Sequence, residues 1–356
     1  TIIEALPVGN PGNPGDTRYP DGEVASFGGV SYTYYIGKYE VTAGQYTAFL
    51  NAVAATDTYG LYNRDMWVNA RSCRIDRAGA PGSYTYSVAP EWADRPVNWV
   101  SWGDAARFAN WLHNGQPNGA QDLSATEDGS YYLNGATSYA TLMAVVREPD
   151  ATWVIPSEDE WYKAAYHEYD GVTGNYFDYP TSSDSIPSNE LVNPDPGNHA
   201  NFCQPDYTIG NPYYRTEVGE FENSASPYGT FDQGGNIYEW NETVWHGAYR
   251  VLRGGSFDSD FDNLHAATRS GDNSPTDEFD NIGFRVAEVP RNPVGDLNCD
   301  GVVDFRDINP FILALTNGAA YDQEYPECDR SLADINQDGY VDFGDINPFV
   351  MLLSGG

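Results

Sequence analysis

The 356-residue sequence predicts a large, loop-rich domain of strands and helices, followed by a small helical module. Two observations lead to this division. Between residues 31 and 289, three segments with helical periodicity are separated by long, aromatic, turn-rich stretches, and after residue 295 an acidic motif occurs twice. A chain of this length can bury a sizeable core and hold more than one domain.

The composition is strongly acidic and aromatic. There are 52 Asp and Glu against 18 Lys and Arg, for a formal net charge of −34, together with 27 Tyr, 15 Phe and 9 Trp. Nucleic acids and anionic membranes recruit basic patches, so the charge balance argues against both as partners. No run of about 18 apolar residues occurs, which argues against membrane insertion. Excess carboxylate fits either a solvated surface or divalent-cation sites, because carboxylates are hard oxygen ligands.

The four cysteines predict structural disulfides in an oxidising compartment, since none of them forms a C-x-x-C pair. The chain starts at Thr1 rather than at Met, which suggests a processed form, so we expect a secreted or cell-surface protein. Four cysteines allow three pairings. We favour Cys299–Cys328 near the C-terminus and Cys73–Cys203 within the large domain.

Residues 1–30 are predicted to form an N-terminal extended arm. The apolar segment TIIEALPV is a short strand candidate, and the turn-rich segment GNPGNPGD follows it. An isolated terminus of this kind is mobile. Contact with its own domain, or with a neighbouring molecule, would order it.

Three helices are predicted after an aromatic strand at residues 32–39. Thr42, Ser101 and Ser157 are the N-cap candidates, and Ser157 is followed by Glu160 in a capping box. The apolar faces consist of Tyr46, Phe49, Leu50 and Val53, of Ala105, Phe108, Ala109 and Leu112, and of Trp161, Ala164 and Ala165. The stretches between the helices are too aromatic for disorder, so we expect ordered irregular loops.

Six segments of residues 31–289 resemble, in order, the formylglycine-generating-enzyme (sulfatase-modifying-factor) domain family. They are YYIGKYEVTAGQYTAFLNA, RPVNWVSWGDAARFANWL, WVIPSEDEWYKAA, GGNIYEW, VLRGGSF and NIGFRVA. The resemblance implies an α+β, C-type-lectin-like fold that is low in regular secondary structure and rich in loops. Fold does not decide function, however.

The resemblance also shows where a catalytic copper site would lie. Enzymes of that family bind copper through two cysteines a few residues past the Gly-Gly-Ser turn, and here Ser259 and Leu264 stand at the matching positions. Copper oxidation needs soft thiolate ligands. The five histidines show no ligand spacing; they are His113, His167, His199, His246 and His265. We therefore expect no catalytic residues.

Structural calcium in the large domain is a further implication of the resemblance. The first site maps to Asp232, Gly235, Ile237 and Glu239. A second site maps to Asn201, Phe202, Asn211 and Tyr213. The alternative for Glu239 is an ion pair with a buried arginine such as Arg253 or Arg285.

A Pro-bearing linker at residues 290–294 leads to a repeat that fills residues 295–356. GDLNCDGVVDFRDINPFILAL and ADINQDGYVDFGDINPFVMLL align thirty-eight residues apart. Each copy places oxygen ligands at alternate positions around a sharp Gly bend, which is the pattern of a calcium loop. The predicted ligands are Asp296, Asn298, Asp300, Val302, Asp304 and Asp307 in loop 1, and Asp334, Asn336, Asp338, Tyr340, Asp342 and Asp345 in loop 2, where Val302 and Tyr340 supply carbonyl oxygens.

The doubled loop, with Asp rather than Glu at its twelfth position, resembles a dockerin module. This implies a small all-α module with two calcium loops, and a cohesin-like partner, although the Ser-Thr recognition pair of dockerins is missing. Asn309-Pro310 and Asn347-Pro348 are predicted as N-cap and first-turn positions. The expected apolar faces are Ile308, Phe311, Ile312 and Leu315, and Ile346, Phe349, Val350 and Leu353.

These features predict a secreted, non-catalytic, calcium-binding structural or interaction protein. The arm and the dockerin-like tail would join copies of the chain head to tail into extracellular or cell-surface fibres, because a heterologous contact that does not close gives an open filament. The apolar strand in the arm could add to a neighbour's sheet edge. The alternatives are a surface module that binds glycans or other ligands through exposed Tyr and Trp, and a metal-dependent formylglycine-generating-type oxidase.

Overall fold

The computed structural model divides the chain into two compact units. Unit 1 comprises Thr1–Glu148 and Trp153–Val289, and unit 2 comprises Pro149–Thr152 and Pro290–Gly356. The residues that the structure describes are 1–22, 24–271, 273–290, 293–325, 328–336 and 338–353. Parts of the predicted arm, linker and C-terminal module therefore lie outside the described residues.

The N-terminal residues belong to unit 1, where they supply the edge strand of a four-stranded sheet. In this sheet β1 (Ala5–Val8) pairs with β2 (Tyr34–Gly37), β2 with β9 (Ala287–Glu288), and β9 with β5 (Trp153–Val154), all antiparallel. The predicted N-terminal arm at residues 1–30 is therefore held by its own domain, one of the two contacts expected to order it. The pairing satisfies backbone groups of β1 that a free arm would leave to water.

Two smaller sheets complete the strands of unit 1. One is a hairpin of β3 (Ile75–Ala78) and β4 (Thr85–Val88). In the other, β6 (Tyr238–Trp245) pairs antiparallel with β7 (Tyr249–Arg253) and parallel with β8 (Ile282–Gly283). Unit 1 is thus a mixed α/β domain with short strands and long ordered loops.

The helices of unit 1 include the three that apolar periodicity predicts. These are α1 (Ala43–Val53), α3 (Trp102–His113) and α5 (Glu158–Tyr166). Two shorter helices, α2 (Asp65–Val68) and α4 (Tyr139–Met143), were not predicted. Short 3-10 helices lie at Pro90–Trp92 and Phe261–Leu264. Among the described residues, no helix is both long and apolar enough to cross a membrane.

Capping boxes start the three predicted helices. The side chains of Thr42, Ser101 and Ser157 each accept a hydrogen bond from the backbone N–H three residues later, and that later residue's side chain bonds back to the backbone of the cap. Such an N-cap contributes about 0.5–2 kcal/mol to stability. The three predicted helix starts are confirmed.

An aromatic cluster joins α1, α3 and the end of the domain. Phe108 of α3 lies 5.3 Å from Phe49 and 6.2 Å from Tyr46 of α1, measured between ring centroids. Phe284, from the segment NIGFRVA, lies 5.4 Å from Phe108. All four rings are fully buried. Aromatic pairs of this kind contribute about 0.5–1.5 kcal/mol beyond the area that they bury.

Unit 2 contains α6 (Ile308–Thr316), α7 (Gly318–Glu324) and α8 (Ile346–Leu353). Its described residues include three short 3-10 helices and no strand, in agreement with a small helical module. The disulfide Cys299–Cys328 is present, as predicted. It covalently closes a small core that also holds Leu297, Phe311, Tyr321, Leu332 and Phe349.

The starts of α6 and α8 differ from the prediction. A 3-10 turn, Phe305–Asp307, runs directly into α6 at Ile308, so Asn309 and Pro310 lie inside the first turn. Asn309 is therefore not the N-cap, and the same holds for Asn347, since α8 begins at Ile346. Proline is tolerated there because the first-turn N–H groups have no partner within the helix.

The apolar faces of α6 and α8 are only half buried. Phe311 and Phe349 stack at 4.1 Å between centroids in the core, as their spacing predicts. Ile312 and Val350, expected on the same faces, are 51% and 56% exposed. A module of this size has too little interior to cover both.

Candidate metal centres

The loop after β7 carries Ser259 and Leu264, the two positions expected to match the copper cysteines of the family's enzymes. The Ser259 hydroxyl lies 3.0 Å from the Ser256 hydroxyl and accepts a hydrogen bond from the Ser256 backbone N–H at 3.1 Å. Leu264 is fully buried in an apolar cluster. The other members of the cluster are Tyr179, Ala200, Phe202 and Phe261. One position is thus a hydrogen-bonded hydroxyl and the other is an alkyl group in the core.

The predicted disulfide Cys73–Cys203 is absent, because both thiols are free. Cys73 is buried with its sulfur 3.9 Å from the Met66 and Asn98 carbonyl oxygens. Cys203 is half-buried elsewhere, with its backbone N–H donating to the Ser259 carbonyl at 2.7 Å. Burial raises the pKa of both thiols. The even cysteine count could not reveal that the fold holds these two side chains in different surroundings.

Glu239, predicted as a calcium ligand of the first site, is paired with Arg285. The Arg285 Nε and Nη2 atoms donate to the two carboxylate oxygens at 2.6 and 2.7 Å, and Trp161 Nε1 donates at 2.8 Å. Arg285 and Glu239 are both fully buried. The ion pair is the alternative to calcium that the sequence suggested for Glu239. Because Arg285 already neutralises the Glu239 carboxylate, the structure offers no support for calcium there, and calcium at the first site stays a prediction.

The other carboxylate of the first predicted site is Asp232, and it faces a second carboxyl group that sequence reasoning missed. Asp232 Oδ2 accepts a hydrogen bond from the Gly219 backbone N–H at 2.6 Å, and burial raises the pKa of Asp232 to about 6. Glu40 is 1% exposed, and neither of its carboxyl oxygens has a hydrogen-bond partner on another described residue. Burial, and then the nearby Asp232 and Glu239 charges, raise the pKa of Glu40 well above its ordinary value.

Gly235 and Ile237 keep the backbone roles that a Gly-rich loop predicts. Gly235 has a φ of +85°, and a Cβ there would lie 2.2 Å from the Asn201 carbonyl oxygen. Ile237 is fully buried beside Gly283. The close approach of Asn201 and Gly235 explains why glycine is required at this position.

The second predicted site is divided in the structure. Asn201 and Phe202 lie against the Gly235 loop and the Leu264 cluster, respectively. Asn211 is exposed, and Tyr213 packs on Trp92 at 5.1 Å between ring centroids. The Phe202 carbonyl, a proposed donor, accepts a hydrogen bond from the Thr208 hydroxyl at 3.1 Å and one from Asn189 Nδ2 at 3.2 Å.

Loop 1 of unit 2 is tightly folded around its predicted ligands. Asp296 accepts hydrogen bonds from the backbone N–H groups of Asp300 at 3.2 Å and Gly301 at 2.8 Å. Asp307 accepts from the Leu297 and Asn298 N–H groups at 2.7 and 3.0 Å. The carboxylates at the first and twelfth positions are thus aimed back into the loop.

Loop 2 repeats this arrangement. Asp334 accepts from the Asp338 and Gly339 N–H groups at 3.1 and 2.8 Å, and Asp345 accepts from the Asn336 N–H at 3.1 Å. The two bend glycines, Gly301 and Gly339, have φ values of +87° and +88°. Two segments thirty-eight residues apart therefore share one backbone conformation, which supports the internal repeat.

The oxygen donors of the two loops suit calcium. In this structure, however, their carboxylates are hydrogen-bonded to backbone N–H groups of the loops and do not converge on one point. No group of three or more His, Cys, Asp or Glu side chains in the described part of the chain is arranged to hold a metal. The calcium-loop pattern also includes two ligands of other types, the Asn298 side-chain amide and the Val302 backbone carbonyl. Burial, and then the Asp307 and Asp300 charges, raise the pKa of Asp296 to about 6. A cation would relieve this crowding of like charges.

The mixed α/β fold of unit 1 and its ordered loops describe a domain of the formylglycine-generating-enzyme type. A family model, Sulfatase-modifying factor enzyme 1-like domain, matches residues 16–290, which is well over half of the chain. The protein therefore belongs to this family.

Two curated relatives match part of the chain. The chain is 30% identical over 155 residues to the Inactive C-alpha-formylglycine-generating enzyme 2 of Bos taurus, covering 40% of this chain and 46% of the relative. It is 32% identical over 161 residues to the Serine/threonine-protein kinase pkn1 of Chlamydia caviae, covering 39% and 22%, respectively. The match thus spans less than half the length of either relative.

Among solved structures, the chain is similar to that of CarF. The sequence identity is 18%, the match covers 81% of this chain and 98% of that one, and the TM-score is 0.49.

Proposed function

We propose that this protein is a secreted, non-catalytic, calcium-binding structural or interaction protein. In this proposal unit 1 is a rigid body, and the dockerin-like unit 2 is the calcium-dependent connector. Copies of the chain join through unit 2 into extracellular or cell-surface fibres. A chain that stays monomeric in calcium would favour a cohesin-like partner in place of a second copy.

The observation that carries the non-catalytic part is the pair Ser259 and Leu264. Copper-dependent oxidation needs two thiolates at these positions, and a buried leucine side chain offers no donor atom. The free thiol of Cys203 does not replace them, because burial raises its pKa and so disfavours the thiolate form. A relative whose name describes it as inactive supports the same reading.

Calcium is assigned to the two loops of unit 2 on their donor chemistry. Each loop combines carboxylates, one side-chain amide and one backbone carbonyl around a glycine bend, all hard oxygen donors. The small core of unit 2 gains stability from any metal that binds only the folded loops. In unit 1, by contrast, Arg285 already neutralises Glu239.

The connector role of unit 2 is supported by paired apolar side chains on its surface. Phe305 and Phe343, at equivalent positions of the two repeats, are 76% and 78% exposed. Val302 and Tyr340, three residues earlier in each repeat, are exposed as well. Exposed aromatic residues at equivalent places in both repeats are typical of an interaction surface rather than of a freely solvated module.

At the other end of the chain, β1 offers a second contact. It lies at the edge of the four-stranded sheet, where a strand from a neighbouring molecule can add by backbone hydrogen bonding. The contact proposed here is this ordered edge, not a loose arm.

Sedimentation velocity and negative-stain electron microscopy, in millimolar calcium and in chelator, test the assembly. We expect elongated oligomers in calcium and monomers in chelator. The double variant Phe305→Ser/Phe343→Ser should stay monomeric in calcium, whereas the matched pair Val146→Ser/Ile186→Ser, from exposed positions of unit 1, should assemble normally. A wild-type chain that stays a monodisperse monomer at high calcium would refute the assembly proposal.

The oxidase alternative is tested directly by adding copper and a cysteine-containing peptide. We expect no conversion of the peptide cysteine above the level of free copper. Measurable turnover by the wild-type chain would overturn the non-catalytic assignment.

A glycan-binding role is the second candidate, favoured by one surface cavity of about 430 Å³ in unit 1. Tyr207, Leu191 and Val192 line it with exposed apolar surface, and Asn189 and Glu190 add polar groups. An aromatic face beside amide and carboxylate groups suits a sugar ring. A glycan array with wild type and Tyr207→Ala tests it; no signal that depends on Tyr207 would remove this candidate.

A further inference from the structure

The two calcium loops of unit 2 differ at one position that contacts their predicted ligands. Loop 1 has Arg306 at its eleventh position, and loop 2 has Gly344 at the equivalent place. The backbone hydrogen bonds of the two loops are otherwise closely matched. Among the described residues, loop 1 therefore contains an internal cation and loop 2 contains none.

The Arg306 guanidinium lies across two predicted calcium ligands of loop 1. Its Nη1 is 3.0 Å from Asp300 Oδ2, and its Nη2 is 2.8 Å from Asp304 Oδ2. Its Nε donates to the same Asp304 carboxylate at 3.0 Å. Arg306 thus holds the ligands at the fifth and ninth positions by a fork of charge-assisted hydrogen bonds.

In loop 2 the matching carboxylates accept the same amide hydrogen bonds as in loop 1, but no cationic side chain among the described residues is paired with them. Asp342 Oδ1 accepts from the Gly344 backbone N–H at 2.7 Å. Asp338 accepts from the Tyr340 backbone N–H at 3.0 Å and from the Asn336 side-chain amide at 3.1 Å. These donors carry no net charge, so they do not repel an incoming cation.

We propose that Arg306 is an internal counter-ion that makes loop 1 the weaker of the two calcium sites, so that loop 2 fills first. This inference rests on the proposed calcium-binding function of unit 2. Calcium can use Asp300 only after the guanidinium leaves that carboxylate, and a positive charge kept nearby repels the ion. As Arg306 is 66% exposed, solvent screens its charge and the penalty is modest.

Filling in this order makes the module respond to calcium in two steps. Loop 2 binds at the lower concentration. Loop 1 follows at a higher concentration and releases Arg306, which lies next to the exposed Phe305. The arginine then becomes available at the surface proposed for the connector contact.

Calcium titration of the full chain by calorimetry, in backgrounds that keep one loop, measures each site separately. Asp334→Asn leaves loop 1, and Asp296→Asn leaves loop 2. We expect Arg306→Gly to tighten loop 1 by about 2- to 5-fold, the range expected when an exposed ion pair no longer competes. Gly344→Arg should weaken loop 2 by a similar factor.

The reciprocal substitution needs an uncharged control. A Cβ at Gly344 would lie 2.9 Å from Asp342 Oδ1 and 3.0 Å from Asn336 Nδ2, which are predicted ligands, so Gly344→Gln measures the steric effect alone. Arg306→Gln removes the charge without adding a flexible glycine, so it should reproduce the effect of Arg306→Gly. Arg330→Gln removes one positive charge from unit 2 outside the loops and should leave both calcium affinities unchanged.

The outcomes separate the two proposals. If the wild-type module binds two calcium ions but Arg306→Gly, Arg306→Gln and Gly344→Arg leave both affinities within the error of wild type, the counter-ion inference is wrong and the calcium module stands. If the wild-type chain binds no calcium at these loops, the proposed function itself fails. Equal shifts in Arg330→Gln and Arg306→Gln would show a general charge effect and would also overturn the inference.

Discussion

Replacing Arg285 by Met tests whether an arginine neutralises Glu239 in the core of unit 1. The Arg285 side chain donates two hydrogen bonds to the Glu239 carboxylate and also reaches the carbonyl oxygens of Gly37 at 2.8 Å and Phe231 at 2.9 Å. It therefore links β2, β6 and the Gly-rich loop. Met fills much of the same volume but provides neither the charge nor the donors.

The expected loss follows from the burial of both partners. Arg285 and Glu239 are 0% exposed, and Trp161 is the other side-chain donor to the carboxylate among the described residues. Removing one member of a buried ion pair costs about 3–5 kcal/mol, because the other charge is left without compensation. We expect Arg285→Met to lower the free energy of unfolding of unit 1 by that amount. Adding Glu239→Gln to this variant should recover part of the loss, since the unpaired charge is removed as well.

Urea unfolding followed by tryptophan fluorescence measures this loss, because all nine tryptophans lie in unit 1. The experiment is done in chelator and in calcium. The control is Arg64→Met, at an exposed position, which should change stability by no more than about 0.5 kcal/mol. A loss below about 1 kcal/mol in chelator contradicts the arginine assignment. A loss that calcium fully restores would instead make Glu239 a metal ligand.

Three further predictions follow from single contacts. A thiol reagent should label Cys203 in the native protein and Cys73 only after unfolding, giving two thiols per denatured chain without reductant. Burial raises the folded-state pKa of Asp232 from 3.8 to about 6. The protonated carboxyl therefore adds to the free energy of unfolding, fully below pH 4, and this contribution is lost as the pH rises towards 6. Asp232→Asn should therefore gain stability relative to wild type over that range in urea titrations with chelator. Cys299→Ser should destabilise unit 2 by about 3–4 kcal/mol in thermal unfolding followed by circular dichroism, because Cys328 no longer closes its loop.

Local patterns were enough to predict the three longest helices of unit 1, but not the short helices α2 and α4. Thr42, Ser101 and Ser157 each lie three residues before a side chain that completes the capping box, so the signal is contained within one helical turn. The loops of unit 2 were recognisable for the same reason, since their ligands repeat at short fixed spacings. The helix starts after these loops were missed because a 3-10 turn continues into each helix.

Contacts between distant residues could not be predicted in this way. Glu239 and Arg285 are forty-six residues apart, and the sequence offered Arg253 as an equal partner. Arg253 instead pairs with Glu158 of α5. One local pattern could have indicated that Glu40 is buried, since it is a single acidic residue between Tyr39 and Val41. Its proximity to Asp232 could not be predicted, because the two residues are far apart in the sequence.

The placement of positive charge in the two units gives a physical reason for a division of labour between them. Unit 1 neutralises several of its deeply buried carboxylates with its own arginines, although Glu40 is an exception. The fully or almost fully buried pairs are Arg107–Glu127, Arg253–Glu158 and Arg285–Glu239. Unit 2 arranges a dozen predicted ligand positions in two loops, and in its described residues only Arg306 is ion-paired to them. If unit 2 binds calcium as proposed, calcium removal should therefore loosen unit 2 while unit 1 stays folded.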